Sequence, residues 1–556
     1  MRRVKAMNGL VKLLKAEGVE WVSTFPTSPI NNACGEEGLP LLMARDERYA
    51  VAIADGYSRC CNGNKIGVCT VMGAMNAAGI QIAYGAVAQA FEDSSPILVL
   101  TEGVDPNLVG QNYYDIGKAF DSVTKWNGYI NSGNRLPEFV RRAFTYLRTG
   151  RPRPVLLQIP RNISEYDEAR YPYTPVKGWK SQGDPRDIEV AVRAILAARR
   201  PLIYAGQGVF YADACKELLE FAEMVEAPVI TTLKAKSVIP ENHPLCVGVR
   251  GAAAEHFLLN SDLIFAIGSS LSPNRFSHAI PNPQSKVIIQ STVDELDLNR
   301  PYACNHAILG DAKLVLKGMI EEAEKKNARP SRNGDAVRAE VKQFKEKLIQ
   351  QYMSALTSNE IPINPYRVYW DLMNTIDRGN SSVTHESGNT RDQSSTIYES
   401  LIPHGYIGWG NVSTLGFGLG AAVGAKLAFP DRQVVCIAGD AGVGYQMGNY
   451  EMLVRHRLGI TIIHINNSAF GGYGPGFWGP GHDPYTWAVT HSSVLYMARV
   501  ADALGMYGER IEKPDELIPS FKRAFQANKS GRPAYLEVIA SQYPVYPGWM
   551  SPTRVT

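Results

Sequence analysis

The sequence holds no Cys-x-x-Cys pair, no histidine before His243, no apolar run of 18 residues and no marked excess of one charge. Eight cysteines are scattered singly apart from the adjacent Cys60-Cys61, which gives neither zinc-ligand spacing nor a disulfide framework. Reduced, buried thiols in a cytoplasmic protein are the expectation. A formal net charge of +3 supplies no electrostatic footprint for nucleic acid. Without a long apolar run no membrane-spanning helix is predicted, and Met-Arg-Arg leads into an amphipathic helix rather than an apolar signal region. Neither nucleic acid nor membrane is therefore an expected partner. Everything upstream of His243 must also do its chemistry without an imidazole.

What is present is enough apolar sequence, 45% of 556 residues, for several cores rather than one. Short β-branched runs alternate with helical patterns throughout, which predicts an α/β protein of three doubly wound parallel-sheet domains. The first covers about residues 1–165. Leu10, Val11, Leu13 and Leu14 give a helical face, Gly18 ends it, and residues 19–22, 66–71 and 97–101 read as strands. Val155 to Ile159 closes the domain. Residues 166–187, rich in Pro, Gly and charge, read as a linker. A Rossmann-like middle domain follows over 188–325, with strand patterns at 203–205, 228–232, 262–268 and 287–290. Its Gly206-Gln207-Gly208 is a short glycine pair of the kind found at nucleotide-binding turns. The charged stretch 321–347 reads as a solvated connector with helical ends, and a third domain runs over 360–548.

In that third domain Val434 to Ala438 ends in Gly439-Asp440-Ala441-Gly442. A helical segment carrying Glu451 and Arg455 follows, and a second strand, 460–465, ends in Asn466-Asn467. Strand, helix and strand over about 30 residues make a βαβ unit with parallel strands. Asp440 and Asn467 then leave the carboxyl ends of neighbouring strands, where open α/β sheets bind ligands. A carboxylate, an amide oxygen and a nearby backbone carbonyl form an oxygen-only set suited to Mg²⁺. The small Ala441 and Gly442 let a diphosphate approach the backbone at a helix start.

Gly-Asp-x followed by Asn-Asn, with 27 positions from Asp440 to Asn467, resembles the thiamin diphosphate (ThDP) motif. It is shared by acetolactate synthases, benzoylformate decarboxylases, pyruvate oxidases and oxalyl-CoA decarboxylases. The resemblance implies that Asp440, Asn467 and the Ala469 carbonyl hold Mg²⁺, and that the metal holds the cofactor's diphosphate near Gly439, Ala441 and Gly442. The family pattern has Gly where Ala441 stands. Residues 44–59, containing Glu47 and ending Ala54-Asp55-Gly56-Tyr57-Ser58-Arg59, are similar to the family's activating segment. On that match Glu47 is the carboxyl that bonds N1′ of the aminopyrimidine. Gly388 and Asn389 lie near the diphosphate by family position. Residues 410–422 resemble the segment under the thiazolium ring, so Leu415 would impose the cofactor's bent shape and the Ser413 carbonyl would accept from its 4′-amine. Gly- and Pro-rich residues 469–487, around Phe470, Phe477 and Trp478, look like a lid that excludes water.

The substrate is less constrained by these matches. Ser28 aligns with the Ser of benzoylformate decarboxylases and is the candidate substrate-facing residue, but the histidines such enzymes use in this domain are absent. Residues 71–81 lack the family's Gly-Pro-Gly, which leaves Asn76 and Gln81 without a settled alignment. Gln111-Asn112-Tyr113 replaces the Phe-Gln-Glu of acetolactate synthases. Three functions follow from the resemblance: a ThDP- and Mg²⁺-dependent lyase or carboligase acting on a 2-oxo acid or its aldehyde, a 2-hydroxyacyl-CoA or oxalyl-CoA lyase, and a catalytically silent cofactor-binding regulator. Family members also carry FAD, or ADP or CoA, in the middle domain in some cases. They form homodimers or tetramers with sites at the subunit interface, as helix-and-strand residues 85–100 imply here.

Overall fold

The computed structural model describes residues 3–541 except 27, 74–77, 109–113, 273–276, 326–329, 331 and 469–495. Within them lie three six-stranded sheets, every strand pair parallel. The first sheet has the spatial order Leu41–Met43, Val22–Thr24, Gly67–Val71, Ile97–Gly103, Val155–Pro160, Trp126–Tyr129. Strand Ile97–Gly103 shows why it is wound on both faces. Leu98 and Leu100 pack with Leu10, Leu14, Phe139 and Phe144, while Ile97 and Val99 pack with Val51, Ala54, Ile80 and Val87. A strand covered on both sides needs apolar residues on both faces, which Ile97 to Leu100 supply in an unbroken run.

The middle sheet has the order Cys246–Gly248, Val229–Thr231, Pro201–Ala205, Leu263–Ile267, Val287–Thr292, His306–Leu309. In chain order this is 3-2-1-4-5-6, the dinucleotide-binding winding. The third sheet runs Tyr406–Ile407, Ser381–His385, Gln433–Gly439, Ile460–Asn466, Ala534–Ile539, Tyr507–Ile511. Numbered by chain position, the first and third sheets share one order, 2-1-3-4-6-5. Their winding direction reverses between the strands numbered 1 and 3, so each has its ligand-binding crevice at that point. The expected βαβ unit is present, with Val434 beside Ile460 and Gly439 beside Ile465.

The chain packs as two compact units, one of Met1–Trp179, Val412–Pro430 and Tyr445–Leu458, the other of the remainder. In the first unit, helix Glu47–Cys60 lies against helix Phe417–Ala428 with almost no space between backbones. A Cβ at Gly56 would sit 2.6 Å from Ala421 Cα, and one at Gly424 would sit 2.3 Å from the Tyr57 amide. Glycine inside a helix costs about 1 kcal/mol relative to alanine; here it is what permits the approach. The Asp55-to-Arg59 ending is structural as well. Arg59 is bidentate to Asp55 at 2.6 and 2.9 Å, reaches Asp93 at 3.1 Å and lies over the Phe417 ring.

Two segments depart from the sequence reading. Residues 166–187 are not a free linker. Tyr166–Asp167 pairs antiparallel with Arg3–Val4, and buried Glu17 accepts from the Val176 amide and the Tyr173 hydroxyl while Arg148 binds both Glu17 and the Val176 carbonyl. The stretch 321–347 is mostly helix, covered by Ala312–Lys325 and Gly334–Leu356, the latter capped by Asn333, which accepts from the Asp335 and Ala336 amides. Charged residues there solvate a helix face rather than a loop. Among the described residues no helix is long and apolar enough to cross a membrane, and all eight cysteines are free thiols.

Candidate active site

The crevice of the third sheet lies between Ser381–His385 and Gln433–Gly439, joined there by the Glu386 amide donating to the Ile437 carbonyl at 2.8 Å. Past the first strand, Gly388 (φ +88°) caps helix Asn389–Ile397. Past the second, Gly439 leads directly into Asp440 and helix Asp440–Gln446. A Cβ at Gly388 would meet nothing within 4 Å, and one at Gly439 would meet only the Thr390 methyl at 3.7 Å. These two glycines therefore leave open room at the strand ends. Gly442 does not: its missing Cβ is matched by Glu386, whose Cγ lies 2.6 Å from where that Cβ would be.

Asn466 and Asn467 divide the work at the end of the next strand. Asn466 turns inward, donating to buried Glu537 at 2.8 Å and accepting from the Ser468 amide at 3.2 Å. Ser468 takes the left-handed conformation, φ +55°. The first Asn thus builds the turn, and half-buried Asn467 follows it at the strand end. Ala469, its expected companion, lies outside the described residues, as do the lid 469–487, Asn76 and Gln111-Asn112-Tyr113.

The other group of expected residues belongs to the first compact unit. Glu47 opens helix Glu47–Cys60, whose N-cap Asp46 accepts from the Tyr49 amide at 2.8 Å. An acid at a helix start is ordinarily solvated, yet Glu47 is only 5% exposed. Gly79 makes room for it, since a Cβ there would lie 2.6 Å from Glu47 Oε1. Burial raises the Glu47 pKa above the usual carboxyl value, the neighbouring Asp46 charge adds to the rise, and a backbone hydrogen bond opposes it. Leu415, preceded by exposed Ser413 and followed by Gly416 at φ +93°, shares a small cavity with Arg48, Tyr49, Ala52, Gln89 and Tyr445. The Arg48 guanidinium covers the Tyr445 ring at 4.5 Å. Ser28 begins helix Ser28–Glu36 just past strand Val22–Thr24, one of the two strands flanking the crevice of the first sheet.

Glu47, Ser413 and Leu415 thus lie in one unit, and Gly388, Asn389, Gly439, Asp440, Ala441, Gly442 and Asn467 in the other. Sequence reasoning missed two residues behind Asp440. His464 Nε2 lies 2.9 Å from Asp440 Oδ1, and the Tyr535 hydroxyl lies 2.7 Å from His464 Nδ1. The available signal was a lone imidazole in the otherwise aliphatic strand Ile460–Asn466.

Three family models match the chain: the thiamine pyrophosphate enzyme N-terminal TPP binding domain over residues 4–121, the central domain over 188–319 and the C-terminal TPP binding domain over 386–538. The chain belongs to the thiamin diphosphate enzyme family and is a ThDP-dependent enzyme of the decarboxylase and carboligase type. A probable acetolactate synthase large subunit of Methanococcus aeolicus is 29% identical, covering 94% of this chain and 91% of the relative. The glyoxylate carboligase of Escherichia coli O157:H7 is 28% identical over 97% and 93%. The acetolactate synthase isozyme 3 large subunit of Escherichia coli K12 is 25% identical over 98% and 97%.

Proposed function

We propose that this enzyme uses ThDP with Mg²⁺ to cleave or join a carbon–carbon bond of a 2-oxo acid or the aldehyde derived from it. The observation that carries this reading is the crevice of the third sheet, where open glycine positions at 388 and 439 adjoin the Asp440 carboxylate. End-to-end similarity to relatives named as acetolactate synthases and a glyoxylate carboligase supports the same reaction type. The donor set fits the groups it would hold. Asp440 and Asn467 offer hard oxygens to a small divalent cation, and Gly388, Asn389, Gly439, Ala441 and Gly442 line the turns beside it. Domains of 1–165, 188–325 and 360–548 would carry the pyrimidine side, the middle sheet and the diphosphate side.

When bound, the cofactor supplies a carbon nucleophile and an electron sink for the bond next to a carbonyl. The chain's own residues do the rest. Glu47, buried and with its pKa raised, would share a proton with a ring nitrogen of the cofactor. Leu415 offers an apolar surface that fixes ring orientation, and the Ser413 carbonyl accepts from an amine. Ser28, at the start of the helix beside the crevice of the first sheet, would be the substrate-side residue. Screening 2-oxo acids, aldehydes and acyl-CoA thioesters for CO₂ release or ligation product tests the assignment. Turnover of 2-oxo acids without CoA is expected. Turnover of CoA thioesters alone would transfer it to a 2-hydroxyacyl-CoA or oxalyl-CoA lyase, and no turnover of any would leave a silent regulator.

The 3-2-1-4-5-6 order of the middle sheet favours a second ligand there, FAD, ADP or CoA, at the reversal between Pro201–Ala205 and Leu263–Ile267. The glycine turn itself closes on protein, since a Cβ at Gly206 would lie 2.3 Å from the Gly268 carbonyl oxygen. Any nucleotide therefore lies outside that turn, and flavin absorbance of the purified protein would identify FAD.

We also propose a homodimer or a dimer of dimers. Glu47 and Asp440 belong to different units, and Ile82, 53% exposed on helix Ala78–Glu92, is an apolar group without cover. Light scattering at micromolar concentration should give at least a dimer; a fully active monomer would contradict this.

A further inference from the structure

Tyr535, His464 and Asp440 form a diagonal across three neighbouring strands. Tyr535 pairs with Ile462, two residues from His464 and therefore on its face of the sheet. His464 in turn pairs with Ala438, two residues before Asp440. Diagonal neighbours of this kind are within reach of long side chains. The line runs from the buried interior, where Tyr535 is fully enclosed, to the carboxyl edge of the sheet. The side chains of His464 and Asp440 are 2% and 5% exposed.

The chemistry fixes the polarity of the two hydrogen bonds. An ionised carboxylate only accepts, so the proton facing Asp440 Oδ1 sits on His464 Nε2. In the neutral imidazole Nδ1 is then an acceptor, and the Tyr535 hydroxyl donates to it. Asp440 Oδ1 is thus held from inside the sheet.

We propose that His464 and Tyr535 are positioning residues that fix the orientation of the Asp440 carboxylate, through its Oδ1, for a cation at the crevice edge. This rests on the reading of Asp440 as a metal ligand. Partners one bond removed from a metal typically contribute 10–100-fold to its affinity.

The test uses the full-length protein stripped of metal and titrated with Mg²⁺ at fixed ThDP, with cofactor retention followed by equilibrium dialysis. Asp440→Ala is titrated alongside. Relative to wild type, His464→Leu should raise the Mg²⁺ concentration for half-retention by about 10-fold or more. His464→Gln, whose amide N–H can donate to Asp440, should recover most of that loss. Tyr535→Phe, which removes a single oxygen, should shift retention in the same direction by less, and it keeps the test open should His464→Leu not fold. Apo-protein thermal melts separate unfolding from lost positioning. Wild-type Mg²⁺ affinity in folded His464→Leu and Tyr535→Phe, with Asp440→Ala retaining nothing, would overturn the proposal and leave the metal assignment standing. Wild-type affinity in Asp440→Ala would overturn both.

Discussion

Glu47→Gln should retain the cofactor and lose activity by about 10²–10⁴-fold, the usual range for removing a general acid or base. The amide is nearly isosteric, so it fits the space that Gly79 leaves beside Oε1 and keeps the packing at the start of helix Glu47–Cys60. What it loses is the exchangeable carboxyl proton. The loss should appear as slower H/D exchange at the cofactor's C2 position in the loaded enzyme, measured beside turnover. Unchanged exchange with normal turnover would remove Glu47 from the mechanism. The same substitution has a second readout in the apo-protein. Burial raises the folded-state pKa of Glu47 above its unfolded value of about 4.3. Its contribution to stability is therefore complete below the unfolded value and is lost as pH rises through the folded one. Gln has no such dependence, so the stability of the variant relative to wild type should increase as pH rises above the unfolded value. A constant difference in melting temperature over that rise would mean that the carboxyl is solvated in both states.

Asp440→Ala should abolish retention of ThDP and Mg²⁺ together, an effect beyond the 10–100-fold expected of an indirect partner. It removes the Asp440 carboxylate from the crevice edge and with it the acceptor of the His464 Nε2–H. Depriving a buried donor of its acceptor costs about 1–3 kcal/mol, so the variant should also melt earlier. Asp440→Asn separates the two effects. Its amide oxygen can still accept from His464 and preserve stability, but the negative charge that favours a divalent cation is gone. Equilibrium dialysis with both ligands decides the matter: undiminished retention by Asp440→Ala would remove the residue from the metal site.

Much of this arrangement was legible in the sequence because it is local or periodic. The strand Ile97–Gly103 announced itself by the apolar run Ile97 to Leu100, and the βαβ unit ending at Asp440 and Asn467 followed from spacing alone. Boundaries were less secure. The strand expected over 19–22 is Val22–Thr24, shifted because Pro40 and Leu41 from the neighbouring connection set its pairing. The burial of Glu47 could not be read from its helix-start position, which ordinarily favours solvent; it depends on Gly79, 32 positions away. His464 and Tyr535 were missed for the same kind of reason. Their contact needs the register of three strands from distant parts of the chain. Likewise the association of helix Phe417–Ala428 with Glu47–Cys60 is written in glycines whose partners are backbone atoms, a pattern that resembles ordinary small-residue helix until both partners are seen.

The shared strand order of the first and third sheets has a consequence for how this enzyme could have arisen. Two parallel sheets wound 2-1-3-4-6-5 within one chain are what duplication of a single module would leave. Such copies would keep their scaffold and diverge at the loops beyond the strands, where change disturbs the cores least. Beside one sheet a carboxyl, Glu47, is buried at a helix start; at the rim of the other, open glycine positions stand beside Asp440. On that descent one module would come to present two kinds of rim, with a division of labour in place of redundancy.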